Sequence, residues 1–145
     1  MTLRWFGDPV LAGLEKAVMR GVVKGTERLR ERMIERVMQP PKTGKLYRRG
    51  KERMHQASAP GESPANDTGN LVRNITTKYD AGKLEGTVNV GTKYGRRLEY
   101  GFVGQDAAGR TYDVAPRPFA RPSLQETTPE IRQGIVDEIT KELNK

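Results

Sequence analysis

The sequence predicts an α+β fold: a long N-terminal helix and a C-terminal helix packed on one face of a small, mainly antiparallel sheet, with a long basic loop. Three observations predict it. Apolar residues recur at steps of three or four in the first quarter of the chain and again at its end. Between them, residues 71–79 and 84–91 alternate with the period of two that marks half-buried strands. The segment 40–67 follows neither period. At 145 residues the chain suits a single domain. With 34% apolar residues its core should be thin and its burial completed against neighbours.

The first helix is expected over residues 9–39. Asp8 reads as its N-cap and Pro9 as its first helical residue. Leu11, Leu14, Val18, Val22, Thr26, Leu29, Met33 and Val37 form one face. Lys16, Arg20, Lys24, Arg28, Arg30, Glu31 and Glu35 form the opposite one. Pro40 and Pro41 end it. Such a helix spans about 45 Å and should overhang a small sheet. Gly21 and Gly25 weaken its middle by about 1 kcal/mol each and suggest a bend.

Residues 40–67 read as a flexible basic loop. Lys42, Lys45, Arg48, Arg49, Lys51 and Arg53 surround Tyr47, and an Ala-, Ser-, Pro- and Gly-rich stretch follows. A patternless loop of this length is either solvated and mobile, or an arm that orders against a neighbouring subunit or nucleic acid.

Residues 68–115 form the β region. Asp67-Thr68-Gly69 supplies turn chemistry, Leu71–Tyr79 and Leu84–Gly91 are antiparallel strands, and Asp80–Lys83 connects them. Lys93–Phe102 reads as one helical turn with Leu98 and Tyr100 directed inward, and Thr111–Val114 as a third strand.

Residues 116–145 comprise a proline-rich lead-in and the last helix, whose start is read at Thr128-Pro129 and whose apolar stripe is Ile131, Ile135, Ile139 and Leu143. Pro116, Pro118 and Pro122 restrict φ and push their predecessors toward extended geometry, so the lead-in is stiff. Phe119 reads as a buried anchor, and Glu99 as an ion-pair partner for Arg117 or Arg121.

The net charge of +8 is uneven along the chain. Through Pro60 there are 14 Lys/Arg against 6 Asp/Glu, and beyond it 12 against 12. A basic surface attracts phosphates or acidic protein faces. Disulfide and thiolate chemistry are excluded by the lack of cysteine. His55 is the lone histidine and reads as a plain loop residue. No apolar run is long enough for a membrane span, and MTLRWFGDPV lacks the apolar core expected of a signal peptide. There is no P-loop, GxGxxG or HExxH signature. Asp67, Asp80, Glu85, Glu99, Asp106 and Asp113 are scattered as turn-solvating acids are. A carboxylate metal nuclease is therefore a weak reading, and neither an enzyme nor a cofactor nor a metal site is expected. No helix-turn-helix or ribbon is visible, which leaves phosphate contact without base readout as the nucleic-acid option.

The blocks SAPGESPANDTGNL, YGRRLEYG and APRPFARPSL, with a hairpin between the first two and a helix after the third, resemble the lambda-like siphophage tail-component family of small neck and tail-completion proteins. The resemblance implies a structural, virion-located subunit that forms a homo-oligomeric ring at the head-tail junction and is present in the host cytoplasm during assembly. Its implied partners are other neck, tail-tube or head-connector proteins, with non-specific contact to DNA in the channel. Asp67, Gly69 and Leu71 match the D-T-G-x-L turn; Tyr94, Glu99 and Gly101 match the Y-A…E-x-G block, with Gly95 where alanine is usual. Arg117, Pro118, Phe119 and Pro122 match the R-P-F…P block. Tail terminator, head-tail adaptor and free-standing nucleic-acid-binding module are the competing readings.

Overall fold

Helix α1 runs unbroken over Gly7–Met38. The structure is a computed structural model that describes residues 7–40 and 42–145. Asp8 already lies within the helical turn, so it is an acid in the first described turn and not the N-cap. Pro41, expected to help end the helix, lies outside the described residues. At Gly21 and Gly25 a second helix crosses closely. A Cβ on Gly21 would sit 2.7 Å from the Ile135 backbone, and one on Gly25 would sit 2.6 Å from the Ile131 side chain. Glycine is thus used here for approach distance, at the expense of helix propensity.

The helix that makes this crossing, α4, spans Ala120–Leu143 and runs antiparallel to α1. It begins eight residues before the expected Thr128-Pro129 start, and Pro129 lies inside it. An interior proline forfeits a backbone hydrogen bond and ordinarily costs about 3 kcal/mol. Packing along α1 holds this stretch helical. Ser123 and Thr127 are buried and return their hydroxyls to the carbonyls of Phe119 and Ser123 at 2.6 and 2.9 Å.

Cations from the basic face of α1 reach α4. Arg20 pairs with Glu138 and Glu142 at 3.0 and 2.8 Å, Lys24 with Glu138 at 2.5 Å, Arg28 with Glu130 at 3.1 Å, and Arg32 with Glu126 at 2.7 Å. Arg36 also reaches Glu126. Glu138 is the buried member of the series. Hydrogen bonds from Lys24 and then Arg20 lower its carboxyl pKa to about 2.

Among the described residues there are three separate antiparallel hairpins instead of one sheet. The first pairs β1 (Leu46–Arg49) with β2 (Arg53–Gln56). It lies within the segment expected to be patternless. The second pairs β3 (Ile75–Asp80) with β4 (Glu85–Val90), with Ile75 opposite Val90. The third pairs β5 (Phe102–Gln105) with β6 (Thr111–Val114). Two short helices intervene: α2 (Asn70–Arg73) and α3 (Gly95–Tyr100). Leu71 and Arg73, expected at the start of a strand, belong to α2. Leu84, expected in the second strand, sits in the turn with φ +52. Tyr100, expected inside, is 62% exposed.

The main contacts of α4 are with α1, and α1 in turn rests on β3 and β4. The expected α+β architecture, two long helices with small antiparallel sheets, is present. Arg30 donates to the Ile75 carbonyl at 2.9 Å, and Thr77 donates to Glu27 at 2.8 Å. The core is thin, as expected, and lies at the C-terminal end of α1. Met33, Val37, Leu71, Ile75 and Phe119 form it, bordered by Leu29, Val88, Val90 and Leu98. The first turns of α1 overhang: Val10 and Leu11 are exposed, as is Leu143 at the far end of α4.

Two predictions follow from the helix pair. Gly21→Ala should lower the melting temperature, because overpacking costs about 1–3 kcal/mol and outweighs the roughly 1 kcal/mol propensity gain. Gly134→Ala, where nothing lies within 4 Å of the added Cβ, should raise it. Calorimetry of the two variants checks the pair, and a stabilised Gly21→Ala would contradict the crossing. The depressed Glu138 carboxyl contributes stability that is present above the ordinary carboxylate range of about pH 4. That contribution is lost as pH falls through about 2. Glu138→Gln should flatten the loss of urea-unfolding stability between these limits, and an unaltered acid limb would disprove the pairing.

Candidate functional site

The three sequence blocks converge on the N-terminus of α4. A helix leaves its first four backbone N–H groups without internal partners. Here Phe119, Ala120 and Arg121 donate theirs to the Glu99 carboxylate at 2.8, 2.9 and 2.8 Å. The fourth position is Pro122, which has no N–H to satisfy. A carboxylate from another part of the chain thus closes the helix end, where the helix dipole also favours negative charge. Glu99 was expected to pair with Arg117 or Arg121. Its partners are instead backbone amides, because the helix starts beside it.

Around this cap the lead-in is held at several points. Arg117 N–H donates to the Leu98 carbonyl at 2.6 Å, and its guanidinium donates to the carbonyls of Ser58 and Ala115, each at 3.2 Å. Pro116 accepts from Gly61 N–H at 3.0 Å. Pro118 leads directly into Phe119, which is 1% exposed and is the anchor the sequence predicts. Gly101 ends α3 at φ +76, and a Cβ there would lie 2.7 Å from the Val114 carbonyl oxygen. Both the conformation and the space require glycine. Gly95 is buried, and its Cβ would meet Val90 at 2.7 Å. That contact leaves no room for a side chain at residue 95.

The D-T-G-N-L stretch divides its work. Gly69 takes φ +75 ahead of α2, and Leu71 enters the core. Asn70 donates to the Tyr94 hydroxyl at 3.0 Å, which joins α2 to the segment before α3. Asp67 holds the arm: Arg49 lies at 2.9 Å, Arg53 is in hydrogen-bond contact, and His55 is 3.8 Å away. His55 is consequently a half-buried strand residue and not a plain loop residue. A cleft of about 320 Å³ opens between these parts, lined by Asp67, Leu71, Tyr94, Leu98 and Arg117.

The arm is a two-stranded ribbon, a form not visible in its sequence. Pairing Arg49 with Arg53 and Tyr47 with His55 puts those four on one face, and places Leu46, Arg48, Met54 and Gln56 on the other. The first face is anchored through Asp67. The second has no counterpart: Leu46 and Met54 are 52% and 54% exposed. Lys42 is tied down at the base, donating to Ser63 and to the Arg36 carbonyl, and burial lowers its pKa. Glu62 braces the same base. The Thr43 hydroxyl and N–H and the Ala59 N–H bring its carboxyl down to about 2. Of the seven arm residues singled out by sequence, Lys45, Tyr47, Arg48 and Lys51 remain exposed and are paired with no carboxylate among the described residues.

Sequence reasoning missed Glu62, for which no local pattern exists. It also missed the Glu126, Glu130, Glu138 and Glu142 series. That one was detectable, because its steps of four and eight residues fall on the four-residue repeat of Arg20, Lys24, Arg28, Arg32 and Arg36. Among the described residues no group of three or more His, Asp or Glu is placed to hold a metal ion. No described helix is long and apolar enough to cross a membrane. No protein-family model, curated protein or solved structure matches the chain.

Glu99→Ala should destabilise the fold by about 2 kcal/mol, since it leaves three helix-end donors without their acceptor. Glu99→Gln, which keeps one acceptor oxygen, should cost less. Phe119→Ala should cost about 3–5 kcal/mol. Urea unfolding measures all three, and a Glu99→Ala protein as stable as its parent would remove the cap from its structural role.

Proposed function

We propose that this chain is a structural assembly subunit of a phage neck, a tail-completion or head-tail joining component that closes into a homo-oligomeric ring. The observation that carries the assembly reading is surface. The chain exposes 10418 Å² of accessible surface, well above the roughly 7,500 Å² usual for a compact monomer of its mass. That surface includes the open ribbon face, the overhanging ends of α1 and α4, and Val103 on the third hairpin. Each of the three hairpins has two strands only, and isolated two-stranded sheets are marginal without further packing. Neighbouring copies would supply that packing.

The neck assignment rests on the resemblance in the D-T-G-x-L, E-x-G and R-P-F…P blocks. It is supported by where their residues fall. Asp67, Glu99, Gly101, Arg117 and Phe119 fix the arm, α3 and α4 relative to one another. A ring requires such constancy, because angular errors between subunits accumulate around a closed interface. The ribbon also favours a second reading as a nucleic-acid-binding module, since two-stranded ribbons are one of the forms that enter a DNA groove.

Light scattering of the chain alone and mixed with tail-tube or head-connector proteins tests the assignment, together with composition analysis of purified particles. A chain that stays monomeric in every mixture and is absent from particles overturns it. Lys45→Gln/Arg48→Gln/Lys51→Gln should leave stability within about 0.5 kcal/mol of the parent while lowering the yield of completed particles. Arg49 and Arg53 are left intact in that variant because they anchor the ribbon to Asp67.

A further inference from the structure

The charge excess of the sequence lies in its first 60 residues, but much of it is neutralised in space. The α1 cations face the glutamates of α4, and Arg49 and Arg53 face Asp67. Arg96 and Arg97 on α3 and Arg121 at the start of α4 have no carboxylate within ion-pair distance among the described residues. All three are exposed. Two of them lie over aromatic rings: Arg97 is 4.1 Å from the centroid of Phe102, and Arg121 is 5.7 Å from that of Tyr100. Arg96, Arg97, Tyr100 and Phe102 line one open groove of about 620 Å³.

We propose that this groove, together with Arg121 beside its Tyr100 wall, grips the phosphodiester backbone of a nucleic acid. A guanidinium held over a ring with no carboxylate partner retains N–H groups for the paired oxygens of a phosphate. The aromatic rings make a nucleic acid a better match than an acidic peptide. Tyr100 is 62% exposed within the cationic cluster and offers a stacking platform for a base or sugar. The site is separate from the ribbon arm, lies in the half of the sequence with no net charge, and does not depend on ring formation.

Fluorescence anisotropy of the full chain with a labelled duplex, and with a labelled single strand, tests the proposal. Three phosphate contacts account for about a 40-fold loss of duplex affinity between 50 and 200 mM salt. Arg96→Gln/Arg97→Gln/Arg121→Gln should remove that share of the salt dependence. The Lys45→Gln/Arg48→Gln/Lys51→Gln arm variant should keep it. Replacing the same three arginines by lysine should retain the salt dependence, which separates lost charge from lost folding. Single-strand binding weakened by Tyr100→Ala assigns base stacking, and duplex binding indifferent to that change assigns the backbone grip alone; both support the site. Absence of binding at 50 mM salt overturns the proposal. So does unchanged salt dependence in the glutamine variant, or binding of polyglutamate in place of DNA.

Discussion

One carboxylate organises the junction on which the fold turns. Glu99 accepts three of the four free donors at the start of α4, and Pro122 removes the fourth. Burying a helix start is otherwise unfavourable, because each orphan N–H taken from water without a partner carries a desolvation cost of about 1–3 kcal/mol. With the cap in place, Phe119 can occupy the core and α4 can begin where the lead-in ends. The direction of α4 then follows from α3, which carries Glu99, and from Gly101, which allows the chain to turn away without striking Val114.

Once α4 has a defined start, its contact with α1 combines two forces acting on different faces. Gly21 and Gly25 allow the axes to approach, so dispersion contacts with Ile131 and Ile135 replace a thick apolar layer. Alongside, the arginines and Lys24 of α1 meet the glutamates of α4. Most of these pairs are exposed, and exposed pairs contribute little each. Their effect is on register and on the surface field. They neutralise much of the charge of α1, while the ribbon and the groove beside α3 keep exposed cations that no described carboxylate pairs.

The arm shows how a segment without periodicity can still be shaped. Its strands are four residues each, too short for alternation to stand out, and both faces are polar or mixed. What holds it is distant in sequence: Asp67 on one face, Glu62 at the base and Arg117 beside Ser58. A ribbon anchored at one side presents the other as a fixed surface, and Leu46, Arg48 and Met54 occupy it.

By itself the sequence determined the two helices, the β3–β4 hairpin, the burial of Phe119 and the thinness of the core. Each is encoded in periodicity, turn residues or composition, which act over a few neighbouring positions. The start of α4, the role of Glu99, the use of Gly21 and Gly25, and the division into three hairpins were decided only in the tertiary structure. Each depends on a partner far along the chain: Glu99 for Phe119, Ile135 for Gly21, Asp67 for Arg49. Local propensity placed the helix start at Thr128-Pro129, which is a sound local signal. A carboxylate delivered from twenty residues away outweighed it, because satisfied helix-end donors and a buried ring stabilise more than an interior proline costs.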